Sequence, residues 1–202
     1  MLFKKSQISL SPIVFAFIVI SIITSLVSLN AYADVKQSVS TNSDSGSKTW
    51  EISAYGANFL MRQIPLDQLK AFYISRGFSL DQIEPYTLSC VFMTVLRNDT
   101  VSSGLHFKRE NLTVSQGGKS HPLISVEDWL ERLSKVTDKN SALIAFRWAQ
   151  FPIDQVFEPG GDWNQGMISV GLPPESKFDA EVKWDIEGKT ATIKLLGVEC
   201  VK

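Results

Sequence analysis

Cysteine and histidine are scarce: Cys90, Cys200, His106 and His121 are all that 202 residues contain. Neither histidine has a partner at metal-ligand spacing, and no C-x-x-C redox pair exists. G-x-S-x-G is missing too, so a Ser-His-Asp arrangement would have to use one of those two histidines. His121 precedes Pro122 close to the Gly117-Gly118 turn, a poor platform for a catalytic base. GGKS at 117–120 lacks the leading glycine of a phosphate-binding loop. Concentrated positive charge is also absent. The chain has 20 Lys+Arg against 21 Asp+Glu, and the Lys108-Arg109 pair, read as a solvated strand edge, runs straight into Glu110. No nucleic acid is expected as a partner, nor an anionic membrane surface.

What the chain does have begins at its amino terminus. Lys4 and Lys5 precede a charge-free apolar run from Pro12 to Leu29, and Asn30-Ala31-Tyr32-Ala33 supplies small residues in an A-x-A pattern. This is the order of a secretory signal peptide over 1–33, cleaved after Ala33 by a Sec-type route to leave a periplasmic or secreted protein. Membrane contact is expected only if the run is retained as an anchor, since roughly 20 apolar residues suffice to span. Cleavage removes two lysines and no acid, so the remaining chain carries a formal charge of −3. Both cysteines lie in the exported part, where an even count favours a disulfide, Cys90–Cys200.

Residues 34–48, DVKQSVSTNSDSGSK, are polar and read as a flexible tether. A single disulfide-closed globular domain follows over 49–202. Thr49–Leu60 alternates loosely as an edge strand. Leu66, Leu69, Phe72 and Tyr73 recur at helical spacing after Pro65. Ser79 and Gln82 form a capping-box pattern for a second short helix, and Ser125 begins a third with Val126, Trp129, Leu130 and Leu133 on one stripe. Residues 90–97 read as a buried strand, and the apolar run Ala142–Phe151 as a central one. Phe178, Ala180, Val182, Trp184 and Ile186 alternate strictly before a Glu187-Gly188 turn and a returning strand from Thr190 to Val198. The expectation is an α+β fold: a mostly antiparallel sheet or sandwich, with an immunoglobulin-like core as the specific form, and two or three short helices in the first two-thirds.

The segment Trp148–Pro174 stands apart, with four prolines, four glycines and two tryptophans. A long irregular stretch inside a compact domain is functional or disordered, and aromatic content argues against disorder. Trp163, flanked by Asp162 and Asn164, presents a flat ring beside hydrogen-bonding groups. With Glu158, and with Arg147 from the adjoining strand, it makes the candidate surface for a secreted or envelope protein, or a small ligand. The alternative is that Phe151, Phe157 and Trp163 all tuck the connection onto the sheet.

Two other classes stay open. A periplasmic copper-handling protein would use His106, His121 and Met167, soft ligands of the kind exported copper proteins employ. Otherwise no cofactor is expected. An envelope hydrolase would need paired carboxylates, such as Asp154 with Glu158 or Asp162, in a cleft. The non-catalytic binding domain is the first expectation. The sequons at Asn98 and Asn111 are expected to be silent if the secretory route is bacterial.

Overall fold

A computed structural model describes residues 35–202; the leader expected at 1–33 lies outside them. Ten strands and four short helices occur among the described residues. The strands build two antiparallel sheets. The first runs β1 (Lys36–Thr41), β2 (Lys48–Ala54), β3 (Ala57–Gln63), β4 (Val91–Asn98) and β8 (Trp163–Ser169). The second runs β10 (Lys189–Glu199), β9 (Lys177–Ile186), β5 (Leu105–Gln116) and β6 (Lys119–Pro122), with β7 (Asp154–Phe157) also on β5.

Alternation along the strands sends one set of side chains between the sheets. Trp50, Ile52, Phe59 and Phe92 of the first sheet meet Phe107, Val182, Trp184 and Leu195 of the second in one buried cluster. The architecture is thus an α+β sandwich. Its first sheet sets β1 to β4 side by side in chain order, with two helices inserted between β3 and β4, whereas an immunoglobulin sandwich interleaves its strands between sheets; an immunoglobulin-like order is not established.

The helices are α1 (Leu66–Ile74), α2 (Leu80–Thr87), α3 (Val126–Ser134) and α4 (Asn140–Trp148). They pack on the outer face of the first sheet. A second buried cluster joins Leu69, Tyr73, Tyr86, Trp129 and Phe146 to Val91 of β4 and Met167 of β8. Local chemistry accounts for two of the starts. Ser79 accepts from the Gln82 N–H while the Gln82 side chain accepts from the Ser79 N–H, a complete capping box. Ser125 accepts from the Asp128 N–H at 2.9 Å.

Four readings from sequence are corrected. Residues 34–48 do not form a continuous tether: β1 pairs with β2 over Lys36–Thr41. The Gln37 amide holds it to the other sheet, donating to Leu196 O and accepting from Leu196 N, each at 2.9 Å. The run Thr49–Leu60 is two strands, β2 and β3, because Tyr55 and Gly56 turn the chain with φ of 52° and 75°. The run Ala142–Phe151 is mainly helix α4. Ala142 and Phe146 are buried while Ile144 is exposed, a four-residue spacing where a strand would repeat every second residue. Arg109, finally, is no solvated edge residue; it is 7 % exposed, on the inner side of β5.

The disulfide joins Cys90, just before β4, to Cys200, just after β10, and so links the two sheets covalently. Among the described residues no helix is long and apolar enough to cross a membrane.

Candidate binding surface

Trp148–Pro174 is more regular than its composition suggests. It leaves α4, forms β7 at the margin of the second sheet, turns through 158–162, and returns as β8, the edge of the first. The segment therefore walls one side of the sandwich. Asn164 Nδ2 donates to Gln155 Oε1 at 2.8 Å, tying the two edge strands together. Asp162 Oδ2 accepts from the Glu158 N–H at 3.0 Å and closes the turn, while Asp162 O accepts from the Asn98 N–H. Asn98 is fully buried and donates through Nδ2 to Phe157 O and Ser103 O, both at 3.2 Å.

These bonds separate the expected site residues by role. Asp162 and Asn164 hold the wall together. Glu158 is exposed, and Arg147 reaches Glu127 at 3.4 Å from the last turn of a helix instead of an adjoining strand. Phe151 and Phe157 do tuck inward, at 1 % and 0 % exposure, but Trp163 does not: it is 54 % exposed. It stands opposite Arg97 in the β4–β8 register, on the outer face of the first sheet, and Arg97 pairs with Asp99.

Trp148 is a second exposed anchor, at 83 % exposure, four residues after exposed Ile144 on α4. It escapes a sequence reading because the run around it looks like a strand. Once Ala142 and Phe146 are placed inward on a helix, Ile144 and Trp148 must face out.

The edge of β8 is not open for strand addition. The Gln165 N–H donates to Asn164 Oδ1 at 2.7 Å, and the Met167 N–H to Ala149 O at 2.8 Å, with Phe151 N returning a bond to Met167 O. Blocked edges of this kind prevent indiscriminate pairing. What this wall presents outward is side chains.

The proposed copper ligands are not brought together. Met167 lies in the cluster beneath the helices and accepts from the Tyr73 hydroxyl at 3.2 Å. His106 projects from the outer face of the opposite sheet, since Leu105 and Phe107 on either side of it point into the inter-sheet core. It contacts Asp154 Oδ1 at 2.6 Å. His121 sits on exposed β6. No group of three or more His, Cys, Asp or Glu converges among the described residues.

Nor do the titratable groups suggest hydrolysis. The hydroxyls of Tyr73 and Tyr86 share Gln150 beneath the helices. Burial pushes Tyr86 up to about 12 and Tyr73 well above its ordinary value of 10. Among the described residues two carboxyls depart from their usual range, and both go down. Lys183 and Lys194 hold Glu181 low, and Lys177 and Lys48 take Glu199 to about 2. A general acid needs the opposite displacement. The register partners of His106 in β7 and β9 are Val156 and Asp185, neither a nucleophile of the Ser or Cys type.

A cavity of about 550 Å³ lies elsewhere, between the β1–β2 hairpin and α1. Ser40, Thr49 and Arg62 give it a polar side, and Phe72, Met93 and Met167 an apolar one. Neither Trp148 nor Trp163 lines it. The chain matches no protein-family model, no curated protein and no solved structure.

Proposed function

We propose that this chain is an exported, non-catalytic domain that docks another secreted or envelope protein through the wall Trp148–Pro174. Export is supported by the leader pattern of residues 1–33 and by the Cys90–Cys200 bridge, which suits an oxidising compartment. One observation carries the docking assignment: Trp163 keeps 54 % of its surface exposed on a paired strand while its neighbours Phe151 and Phe157 are buried. Burying a tryptophan face contributes strongly at interfaces, where Trp, Tyr and Arg dominate the binding energy. Trp148 and Ile144 extend the apolar surface from α4, and Arg97, Arg147 and Glu158 supply exposed charge. An exposed ring on a wall with no enclosing pocket suits the surface of a macromolecule better than a small ligand. Because Asp162 and Asn164 brace the backbone on either side of Trp163, the strand that carries the ring is ordered before binding, which limits the ordering cost.

Photo-crosslinking tests this directly. Oxidised protein of residues 34–202 carries benzoylphenylalanine in place of Trp163, or of Thr192 on the exposed outer face of the second sheet, and is irradiated in the exported fraction of its source cells. The expected outcome is a discrete adduct from position 163, absent from position 192 and reduced by Trp148→Ala. With the purified partner, Trp163→Ala should weaken binding by about 2 kcal/mol or more, close to thirtyfold. Equal adducts from both positions, or none from 163, would overturn the assignment.

A further inference from the structure

Arg109 is a buried cation without an anion. Its side chain leaves the inner side of β5 at the irregularity where the register with β9 shifts between Phe107 and Leu112. Nη1 donates to Phe151 O at 3.0 Å, and Nε is buried with no partner. No carboxylate pairs with it among the described residues. Burial lowers its pKa, yet a guanidinium stays protonated in proteins, so the charge persists. A desolvated charge held by one neutral acceptor is costly to fold and would be relieved by an anion.

A cavity of about 200 Å³ lies against this group. Leu112, Leu123, Ile124, Val126 and Ile153 give it an apolar wall, and Arg109 forms part of its buried side. Ser125, Val126 and Glu127, at the start of α3, close another side. The first backbone N–H groups of a helix have no intrahelical acceptor, and they sit at the positive end of its dipole. Two acids reach the cavity rim, Glu110 and Glu127, and both are exposed; Glu127 is engaged by Arg147 at 3.4 Å. A polyanion would meet these acids. A single carboxylate on a short apolar body would place its charge on Arg109 and bury the remainder.

We propose that the cavity between β5 and the start of α3 is a binding site for a monocarboxylate with a small apolar body, with Arg109 as its charge partner. Two sources carry this chemistry: a free short-chain acid, and the terminal carboxylate of a peptide ending in an apolar residue. The site shares Phe151 and Ile153 with the Trp148–Pro174 segment but is not lined by Trp163 or Trp148, so failure of either assignment leaves the other standing.

The test is titration of oxidised residues 34–202, followed through the Arg109 Nε–H and the Val126 and Glu127 amide resonances. Hexanoate is expected to shift all three saturably, acetate at least tenfold more weakly, and hexanol not at all. A Gly-Leu peptide with a free carboxylate, compared with its amide, identifies the source: binding of the free peptide more tightly than hexanoate marks a peptide terminus, and the reverse marks a free acid. Arg109→Met should lose at least tenfold in hexanoate affinity. Leu123→Trp keeps the arginine but fills the cavity from its rim, and should abolish binding in a folded protein. Unmoved Arg109 resonances with every carboxylate, or undiminished hexanoate binding by Arg109→Met, would overturn the site.

Discussion

A Cβ placed on Gly166 would lie 2.3 Å from the backbone nitrogen of Phe151. The chain leaving α4 lies directly on the β8 backbone at this point, with hydrogen bonds passing both ways through Met167. Gly166→Ala must force the two backbones apart, and backbone cannot yield as a flexible side chain does. A loss of about 2–3 kcal/mol is expected, in the range for overpacking, read from the urea midpoint of the oxidised domain. An unchanged midpoint would mean that the exit of α4 is free to lift from the edge.

Asn98 should be almost as sensitive. Its side chain donates to Phe157 O and Ser103 O and accepts from the Val101 N–H, from a fully buried position spanning both sheets. Asn98→Ala strands those three backbone groups, and a cost of about 2–3 kcal/mol follows. Thermal unfolding checks it, and a shift under about 1 °C would show that water replaces the amide.

Reduction tests the covalent link. Cys90 and Cys200 are 110 residues apart, so opening their bridge frees a long loop in the unfolded chain. The Cys90→Ala, Cys200→Ala double variant should lose about 4–5 kcal/mol in the chain-entropy view. Its far-ultraviolet spectrum should nonetheless remain native at low temperature, because both apolar clusters are intact. Loss of that spectrum would mean that the two sheets do not hold together without the bridge.

Acid should release a second link at the same end of the sandwich. Lys177 and Lys48 hold the Glu199 carboxyl at about 2, below its ordinary 4.5. The folded value is the lower one, so its contribution is complete above about pH 4.5 and is lost as the pH falls through about 2. Glu199→Gln should flatten the acid limb of the stability profile in that window, measured by urea midpoints from pH 5 to 2. An identical limb in the variant would assign the acid sensitivity to other groups.

Strand periodicity was readable where one face is buried and the other wet. Phe178 to Trp184 alternates because it faces Trp50 and Phe92 across a filled interior, and the Glu187-Gly188 turn keeps that register. Helix starts were readable where Ser79 and Ser125 cap them. Helix α4 was not, because Lys139 contributes no side-chain cap and the stretch Ala142–Phe146 within it is apolar throughout. Strand β1 escaped for the opposite reason. It is an edge of exposed serines and threonines, held by a Gln37 contact to a residue 159 positions away, and local pattern carries no trace of that. At the candidate wall the sequence singles out Trp163 but leaves open whether it tucks inward, and the bracing roles of Asp162 and Asn164 depend on partners in other strands. Arg109 looked solvated beside Lys108 and Glu110, because only the tertiary fold turns its position inward.

The placement of the disulfide bears on how the domain carries mechanical load. Cys200 follows the last strand, so tension applied beyond it passes through sulfur into Cys90 and the start of β4, without peeling β10 from β9. The intervening chain, including the wall with Trp163 and the Arg109 cavity, is enclosed in a covalent loop that pulling from the two termini cannot extend. Only residues ahead of Cys90 are free to lengthen, at roughly 3.3–3.6 Å per residue. Pulled from its two ends, this domain would give way at β1 to β3 and the first two helices, while the closed loop kept its fold.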